Sequence, residues 1–452
     1  MEDILSLTRS LGEFVANLSP NRIPEEASRI ARMGFIDCVG VMIAGRNERP
    51  TQILRDVLKP APGDATLYFS GAPSTAPEAA WINGVAAHAL DFDDVALSGH
   101  PSTVLVPAIL AEAESLDVSG HDMIVAYLAG YEVWAELIGR ETEFHHGKGW
   151  HPTGIFGSIA AAAACASLRR LDASLSSHAI SLGASQSAGL MANFGSMTKP
   201  FHAGRSAHAG VMAARLAQAG FTASADAIEH PQGFLNAVSP SGQVDRQSSA
   251  TGLGETWRIT SKGLNIKRYP ACYCTHRAID GMIDLVEEHD LRADDIETIS
   301  VSLSENYATI LRNHQPRTGL AAKFSIEFTM ASSVLAKRVG LGELTDDFVQ
   351  RAEVQDLMGR VGVNPNTDYD PEQAGASIAD QVTVSLKSGT SIIGKPIKWA
   401  RGHAKNPLDE TDLFGKFENC LEAGHSDIAA TKLYARFTRM ESEPARALTR
   451  LN

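Results

Sequence analysis

The sequence predicts a mainly α-helical protein with a smaller second domain of the α+β class. Apolar residues recur at helical spacing through most of residues 1–265, whereas the apolar–polar alternation typical of strands first becomes clear near residue 296. The chain of 452 residues is also long enough for two domains with separate hydrophobic cores. We therefore expect residues 1–265 and 405–452 to form a large all-helical domain and residues 266–404 to form the α+β domain.

The N-terminal region predicts one helix after another. Pro24 stands at a first helical position before Glu25 and Glu26, and the helical pattern continues until Gly45 and Pro50 end it. Further helices are predicted for residues 77–90, 103–116, 121–139, 153–168, 173–190, 205–219 and 222–229. Because no fixed repeat period is visible, we expect a compact domain and not a solenoid.

The second domain combines strands with inserted helices. Residues 296–303 and 380–386 alternate in polarity, and residues 387–390 join the latter to residues 391–397 as a hairpin. Helical spacing is found at residues 275–289, 323–338, 345–359, 409–422 and 426–440. The last two of these helices follow residue 405, and we expect them to return to the helical domain.

Composition narrows the possible partners and compartment. The 40 basic and 53 acidic residues give a net charge of −13, which argues against a nucleic-acid partner. The five cysteines are odd in number and widely spaced, and no signal peptide is recognisable. Together these observations predict a reduced, cytoplasmic protein. The longest apolar run, residues 154–168, is shorter than the roughly 20 residues that a bilayer requires.

A cationic cluster stands out at residues 195–210. Lys199, His202, Arg205 and His208 occur there among glycines and alanines, where residues 195–200 are predicted to form a loop before a helix. Cations are unfavourable in the first turn of a helix, so an anion bound there would remove the conflict. The alternative is a basic surface turn that is merely solvated.

Carboxylates and histidines also cluster between residues 88 and 100. His88, Asp91, Asp93, Asp94 and His100 could supply oxygen-rich ligands for Mg²⁺ or Mn²⁺. Acidic residues at helix ends are, however, often only caps, and no second acidic cluster supplies further ligands. We therefore expect no metal here.

Two further stretches have the residue types of an anion-binding or acid–base site. His145, His146, Lys148 and His151 lie in a glycine-broken loop whose spacing matches no zinc motif, so an anion pocket and a solvated loop both stay open. The other stretch contains, in order, Lys267, Arg268, Cys272, Cys274 and His276. A thiol beside two cations would have a favoured thiolate and could act as an acid or base, whereas the alternative is a pair of structural cysteines.

Together these stretches resemble the MmgE/PrpD family, which includes 2-methylcitrate dehydratase, cis-aconitate decarboxylase and iminodisuccinate epimerase. The motifs that carry the resemblance are Asp91-Phe-Asp-Asp94 with His100-Pro-Ser102, Gly149-Trp-His151-Pro-Thr153, Gly195-Ser-Met-Thr-Lys199-Pro-Phe-His-Ala-Gly204 and Lys267-Arg-Tyr-Pro-Ala-Cys272. The resemblance spans nearly the whole chain. It implies a large helical domain completed by the C-terminus, a smaller α+β domain, a homodimer, no metal or organic cofactor, and a small polycarboxylate substrate bound between the domains.

The resemblance also implies which residues line the active site. Lysines and histidines would bind carboxylates and stabilise an enediolate, while a neutral histidine or lysine removes a proton next to a carboxylate. The residues that the resemblance implies are Asp91, His100, His151, Lys199 and Lys267. With our own additions, the expected catalytic residues are His100, His151, Lys199, Lys267 and Cys272, and the expected substrate-binding residues are Asp91, Arg268, His276 and Tyr307.

Two departures from the family pattern bear on the reaction. Cis-aconitate decarboxylases have a histidine where this chain has Cys272 and a threonine where it has Val95, which argues against decarboxylation. Within the family the sequence looks closest to iminodisuccinate epimerase, an isomerase, and a cysteine can supply one of the two acid–base groups that an epimerase needs. The alternatives are a lyase of the 2-methylcitrate dehydratase type and a non-catalytic helical scaffold, which would not need its cations to converge.

Overall fold

The computed structural model describes residues 6–67, 71–373 and 375–450 of the chain. These residues fall into two compact units. The first unit comprises the described residues of 1–192, 197–265 and 410–452, and the second comprises those of 193–196 and 266–409. The predicted boundaries of the folding domains stay a prediction.

The first unit begins with eleven helices, α1 to α11. Their bounds are Leu7–Asn17, Glu25–Ala44, Arg49–Leu58, Ala76–Ala89, Pro101–Leu116, Gly120–Ile138, Pro152–Leu168, Ala173–Ala184, Thr198–Gln218, Phe234–Val238 and Arg258–Lys262. A short antiparallel pair, β1 (Ala65–Leu67) and β2 (Ala72–Ser74), lies between α3 and α4. The helix expected at residues 222–229 is absent, since these described residues form coil and turns.

Small residues let the central helices approach one another closely. A Cβ atom at Gly84 of α4 would lie 2.7 Å from the Cα of Gly204 on α9, which is closer than side chains normally permit. A Cβ at Gly210 of α9 would lie 2.2 Å from the Cβ of Ala161 on α7. This packing at the middle of the unit brings the end of α4 close to the start of α9, where the cationic residues lie.

The second unit contains α12 to α17 and a four-stranded sheet. The helices span His276–His289, Glu305–Ile310, Gly319–Ala322, Ile326–Leu335, Asp346–Val349 and Ala352–Met358. The strands β3 to β6 span Ile296–Ser304, Val361–Asn366, Gln381–Leu386 and Ser391–Ile393. Their order in the sheet is β4-β3-β5-β6, with β4 parallel to β3 and the other neighbours antiparallel. The predicted class, mainly α with an α+β part, is therefore confirmed.

Three C-terminal helices return to the first unit: α18 (Glu410–Ala423), α19 (Ala430–Thr438) and α20 (Ala445–Thr449). Lys416 of α18 forms a buried ion pair with Asp37 of α2, with Nζ 2.5 Å from Oδ1. The same ammonium donates a hydrogen bond of 2.7 Å to the carbonyl of Phe92. The C-terminal segment is thus bonded to the turn that contains Asp91 and Asp93. Among the described helices, none is both long enough and apolar enough to cross a bilayer.

Candidate active site

The turn between α4 and α5 positions the first group of candidate residues. His88 lies in the last turn of α4, and Asp91 follows it with a positive φ of 52°, a left-handed conformation that aspartate tolerates better than most residues. His100 ends the turn as the N-cap residue of α5, directly before Pro101 at the first helical position. The sharp turn therefore directs His88, Asp91 and His100 into one buried region.

Lys199 and His100 converge on the carboxylate of Asp91. The Lys199 ammonium donates a hydrogen bond of 2.6 Å to Asp91 Oδ1, and His100 Nε2 lies 3.8 Å from the same oxygen. The three residues are only 3% to 8% exposed. Because water is largely excluded, the attraction between these charges is stronger than it would be at the surface. Asp91 supplies a negative group at the cationic start of α9.

The start of α9 differs from the prediction. The helix begins at Thr198, so that Lys199 and Pro200 belong to its first turn and not to a preceding loop. Proline is tolerated there because the first N–H groups of a helix have no partner within it. Lys199 and His202 are therefore three residues apart on one helical face.

His151 and His202 form a second pair in the same unit. His151 is the N-cap residue of α7, and its Nδ1 lies 3.1 Å from Nδ1 of His202. One ring must donate and the other accept, so at least one of the two is neutral. Burial lowers the pKa of His202 to about 4 and lowers the pKa of His151 well below its usual value, and the nearby charge of Lys199 adds to both shifts. Neutral imidazoles are the form that can remove a proton.

The histidine rings are packed against one another. The ring centroid of His88 lies 4.4 Å from that of His100 and 6.0 Å from that of His151, to which it is stacked. His146 belongs to this buried set, and burial lowers its pKa to about 3. The glycine-broken loop is thus partly buried at His145 and His146, whereas Lys148 is exposed.

Sequence reasoning did not assign His88, Asp93 and His202 to the active site. The signal for His202 was its position one helical turn beyond Lys199, and this signal was lost because the helix was expected to start later. The signal for His88 was its place at the end of α4, three residues before Asp91. His88 and His202 could therefore not be assigned before the helix bounds were known.

A cation could in principle use the same atoms. One potential ligand atom from each of His88, Asp91, Asp93 and His100 lies within 4.8 Å of the others. These groups nevertheless face protein partners: Asp93 approaches Nδ1 of both histidines, and Asp91 accepts from the Lys199 ammonium. A buried ammonium at this carboxylate opposes a second cation. We therefore interpret the group as an ion-pair network.

A buried polar network packs against the turn between α4 and α5. Asp94 contacts the Ser102 hydroxyl, which lies 2.7 Å from the hydroxyl of Tyr127. Burial, reinforced by the negative charge of Asp37, raises the pKa of Asp94 well above its usual value. Burial thus favours the neutral form of the Asp94 carboxyl.

The remaining predicted site residues belong to the second unit. Lys267 is fully buried, whereas Arg268 is exposed. Cys272 and Cys274 are each 8% exposed, and the backbone N–H of Cys272 donates to the carbonyl of Lys323 over 2.8 Å. Burial and a hydrogen bond with Cys272 raise the pKa of Cys274 well above its usual value, which favours its thiol form.

His276 and Tyr307 lie within packed parts of this unit. His276 begins α12, is fully buried, and packs between the rings of Tyr269 and Tyr273 at centroid distances of 5.1 and 4.9 Å. Tyr307 lies in α13, with its ring 5.7 Å from the guanidinium of Arg277. That these residues join Lys199 and His100 in one site stays a prediction.

The fold and the buried acid–base cluster together define a class: a large helical unit that holds lysine, histidine and aspartate side chains, followed by a small sheet unit. Comparison with known families gives the same class a name. The model of the MmgE/PrpD N-terminal domain matches residues 9–247, and that of the MmgE/PrpD C-terminal domain matches residues 269–435. The chain belongs to the MmgE/PrpD family, as the ordered motifs predict.

Several relatives align over most of the chain at low identity. The cis-aconitate decarboxylase of Mus musculus is 25% identical over 435 residues, which cover 91% of this chain and 86% of the relative. The cis-aconitate decarboxylase of Aspergillus terreus is 23% identical over 445 residues, covering 91% and 88%. A cis-aconitate decarboxylase-like protein of Aspergillus oryzae is 24% identical over 419 residues, covering 86% and 85%. Two of these relatives are thus named as decarboxylases, and the third is named as a protein like one.

Proposed function

We propose that this protein is an enzyme that removes and returns a proton at a carbon next to a carboxylate in a small polycarboxylate. The proposed outcome is inversion of a substituted succinate such as iminodisuccinate, which makes the enzyme an epimerase. The observation that carries this proposal is the convergence of the Lys199 ammonium and His100 Nε2 on one buried carboxylate oxygen. An ammonium and an imidazole that approach a carboxylate of the protein are suited to bind a carboxylate of a substrate.

The chemistry divides between cations and neutral bases. Removal of the proton leaves an enediolate whose negative charge requires a fixed positive group, and buried Lys199 supplies one. The proton passes from the substrate carbon to an imidazole nitrogen, for which His100 is the proposed base. Return of a proton to the opposite face requires a second group, and Cys272 is the proposed donor. Burial lowers the pKa of His88 and His151, so these nearby rings add no further positive charge beside Lys199 and a protonated His100.

A lyase reaction is the second candidate, and the names of the relatives favour it. Cis-aconitate is a tricarboxylate, so the relatives' names indicate lyase chemistry on the same class of anion. A 2-methylcitrate-type dehydratase would begin with the same removal of a proton and then expel hydroxide from the neighbouring carbon. A decarboxylase would instead break a carbon–carbon bond, release CO₂ and protonate the resulting carbanion. Cys272 and Val95 depart from the decarboxylase pattern, which favours the other two outcomes.

Incubation in D₂O separates these reactions. The full-length protein is incubated with iminodisuccinate, 2-methylcitrate and cis-aconitate in turn, and each mixture is followed by NMR and by CO₂ release. The proposal predicts deuterium next to a carboxylate of iminodisuccinate and conversion between stereoisomers, without loss of water or CO₂. A new alkene signal from 2-methylcitrate would establish the dehydratase, and CO₂ from cis-aconitate would establish the decarboxylase. Because no step uses a metal, chelation is expected to leave the rate unchanged.

The proposed enzyme acts as a homodimer in the cytoplasm. The resemblance to the family supports the dimer, and the odd number and wide spacing of the cysteines support a reducing compartment. Light scattering after size exclusion tests the first statement: a mass near twice 48.3 kDa agrees with it, and a mass near 48.3 kDa contradicts it. Fractionation of the source cells tests the second.

A further inference from the structure

Asp93 is a carboxylate shared by two histidines. Its Oδ1 lies 2.9 Å from Nδ1 of His88, and its Oδ2 lies 2.8 Å from Nδ1 of His100. The side chain of Asp93 is fully buried, and those of His88 and His100 are 0% and 10% exposed. Water therefore does not compete for these contacts.

The proton on the His100 ring can be assigned from its neighbours. Nδ1 of His100 also lies 3.0 Å from the backbone carbonyl of Asp94, and a carbonyl oxygen can only accept a hydrogen bond. Nδ1 therefore carries the proton in both the neutral and the charged ring. In the neutral ring the lone pair is on Nε2, the atom that lies 3.8 Å from Asp91. The nitrogen that faces the candidate site is thus the one able to take up a proton.

We propose that Asp93 is a positioning residue that makes His100 the proton acceptor among the buried histidines. When Nε2 takes a proton from the substrate carbon, His100 becomes a cation, and its charge is balanced by the carboxylate held at Nδ1. This inference rests on the proposed function for its consequence in catalysis, but not for its effect on the His100 ring.

The electrostatic surroundings distinguish His100 from the other rings. Within the described part of the first unit, three carboxyl groups of the same loop surround His100: Asp91, Asp93 and Asp94. The other titratable groups around it are His88 of α4, His146 before α7, His151 at the start of α7, and Lys199 of α9. Burial raises the pKa of Asp94, which favours its neutral form. His100 has a carboxylate oxygen within 4 Å of each of its ring nitrogens, Asp93 at Nδ1 and Asp91 at Nε2.

His88 holds the other side of the carboxylate without competing for the proton. Burial lowers the pKa of His88 to about 3, so its ring is neutral and donates from Nδ1. Its Nε2 is buried and has no hydrogen-bond partner among the described residues. Burial opposes the charge on Asp93, but attraction from His88 and His100 and the hydrogen bond from His88 outweigh it and hold the pKa of Asp93 well below its usual value. Asp93 is therefore ionised.

The inference is tested first without substrate. The full chain is labelled with ¹⁵N-histidine, and its ring nitrogens are titrated by NMR, with His100 assigned from the spectrum of His100→Gln. The inference predicts that wild-type His100 carries its proton on Nδ1 and gains the second proton at a higher pH than His88, His146, His151 and His202. If another histidine of this set is protonated first, the inference is overturned. This measurement needs no variant of Asp93 to fold.

The variant Asp93→Asn then isolates the charge, and Asp94→Asn is its matched control. Asp93→Asn is predicted to lower the pKa of His100 by one unit or more and to slow kcat by about 10²–10⁴-fold with little change in KM. Asp94→Asn replaces a carboxyl whose neutral form is favoured by burial and keeps the backbone carbonyl that contacts His100, so the His100 titration should stay at its wild-type position. Equal titration of His100 in the two variants would overturn the inference. If His100 titrates differently in the two variants as predicted, but none of the tested substrates exchanges its hydrogen with D₂O, the proposed function fails and the role of Asp93 stands.

Discussion

Lys199 and Asp91 form an almost wholly buried ion pair that joins the start of α9 to the turn after α4. Their side chains are 6% and 4% exposed, and Nζ lies 2.6 Å from Oδ1. Removal of one partner from such a pair leaves an uncompensated buried charge, which costs more than the pair itself contributes. The pair therefore links the stability of the helical unit to its proposed chemistry.

The variant Lys199→Met should lower the free energy of unfolding by about 3–5 kcal/mol, because Asp91 then keeps a buried charge. Adding Asp91→Asn should restore most of the lost stability, since the charge is removed with its partner. Urea denaturation of the single and double variants measures both effects. The exposed Lys148→Met is the control and should change stability by less than about 0.5 kcal/mol. A double variant no more stable than Lys199→Met would contradict the assignment.

The C-terminal helix α18 is expected to support the site through Lys416. Its ammonium is paired with Asp37 and bonded to the Phe92 carbonyl, between Asp91 and Asp93. Lys416→Met should therefore cost about 3–5 kcal/mol of stability and slow turnover as well. Lys432→Met on α19 is the matched control, because Lys432 is exposed. If the two variants unfold at the same urea concentration and turn over equally fast, Lys416 does not support the turn.

Stability should fall as the pH drops below about 6.5. Burial lowers the pKa of His88 and His146 to about 3, and of His202 and His208 to about 4. In the unfolded chain these histidines have a pKa of about 6.5, so between about pH 6.5 and pH 4 the unfolded state binds more protons. Each such histidine should therefore remove about 1 kcal/mol of stability at pH 5.5 relative to neutral pH.

Thermal unfolding at pH 7.5 and pH 5.5 measures this loss. His208→Gln should show a smaller decrease in the unfolding midpoint than the wild type, because one of the neutral buried histidines is gone. His121→Gln changes an exposed histidine and should keep the full decrease. A midpoint that does not change between the two pH values would show that the buried histidines are not held neutral.

The thiol of Cys272 can be tested as the second acid–base group. Cys272→Ser should slow inversion by about 10²–10⁴-fold, because a hydroxyl is a much weaker acid and base near neutral pH. One stereoisomer should still exchange its hydrogen with D₂O, since the base on the other face is intact. Cys274→Ser is the control at equal exposure and should invert the substrate nearly normally. Wild-type inversion by Cys272→Ser would remove the thiol from the mechanism.

Periodicity was enough to predict the fold class, but not the start of α9. Gly195 and Pro200 suggested a loop, yet proline fits the first turn of a helix, and the helix begins at Thr198. The parallel strand β4 was also missed. Its sequence contains Pro365 between two asparagines and has no fully buried residue, so it lacks the apolar run that identifies a strand.

The candidate site was only partly predictable for a related reason. Asp91, His100, His151 and Lys199 were expected from the motifs, and the first unit brings them together. The contacts of Asp93 with two histidines depend on the left-handed turn at Asp91, and no sequence pattern specifies that conformation for an aspartate. Such contacts follow from backbone geometry, which single-residue motifs do not encode.

Proton transfer at the buried cluster around Asp91 can be measured as the rate of deuterium incorporation next to a carboxylate of iminodisuccinate. The rate is compared among wild-type protein, His100→Gln and the control His121→Gln. Rapid incorporation is expected for the wild type and the control, and a rate about 10²–10⁴-fold lower for His100→Gln, since the proposed base is absent. Equal incorporation by all three proteins would contradict the claim that proton transfer occurs at the buried cluster around Asp91.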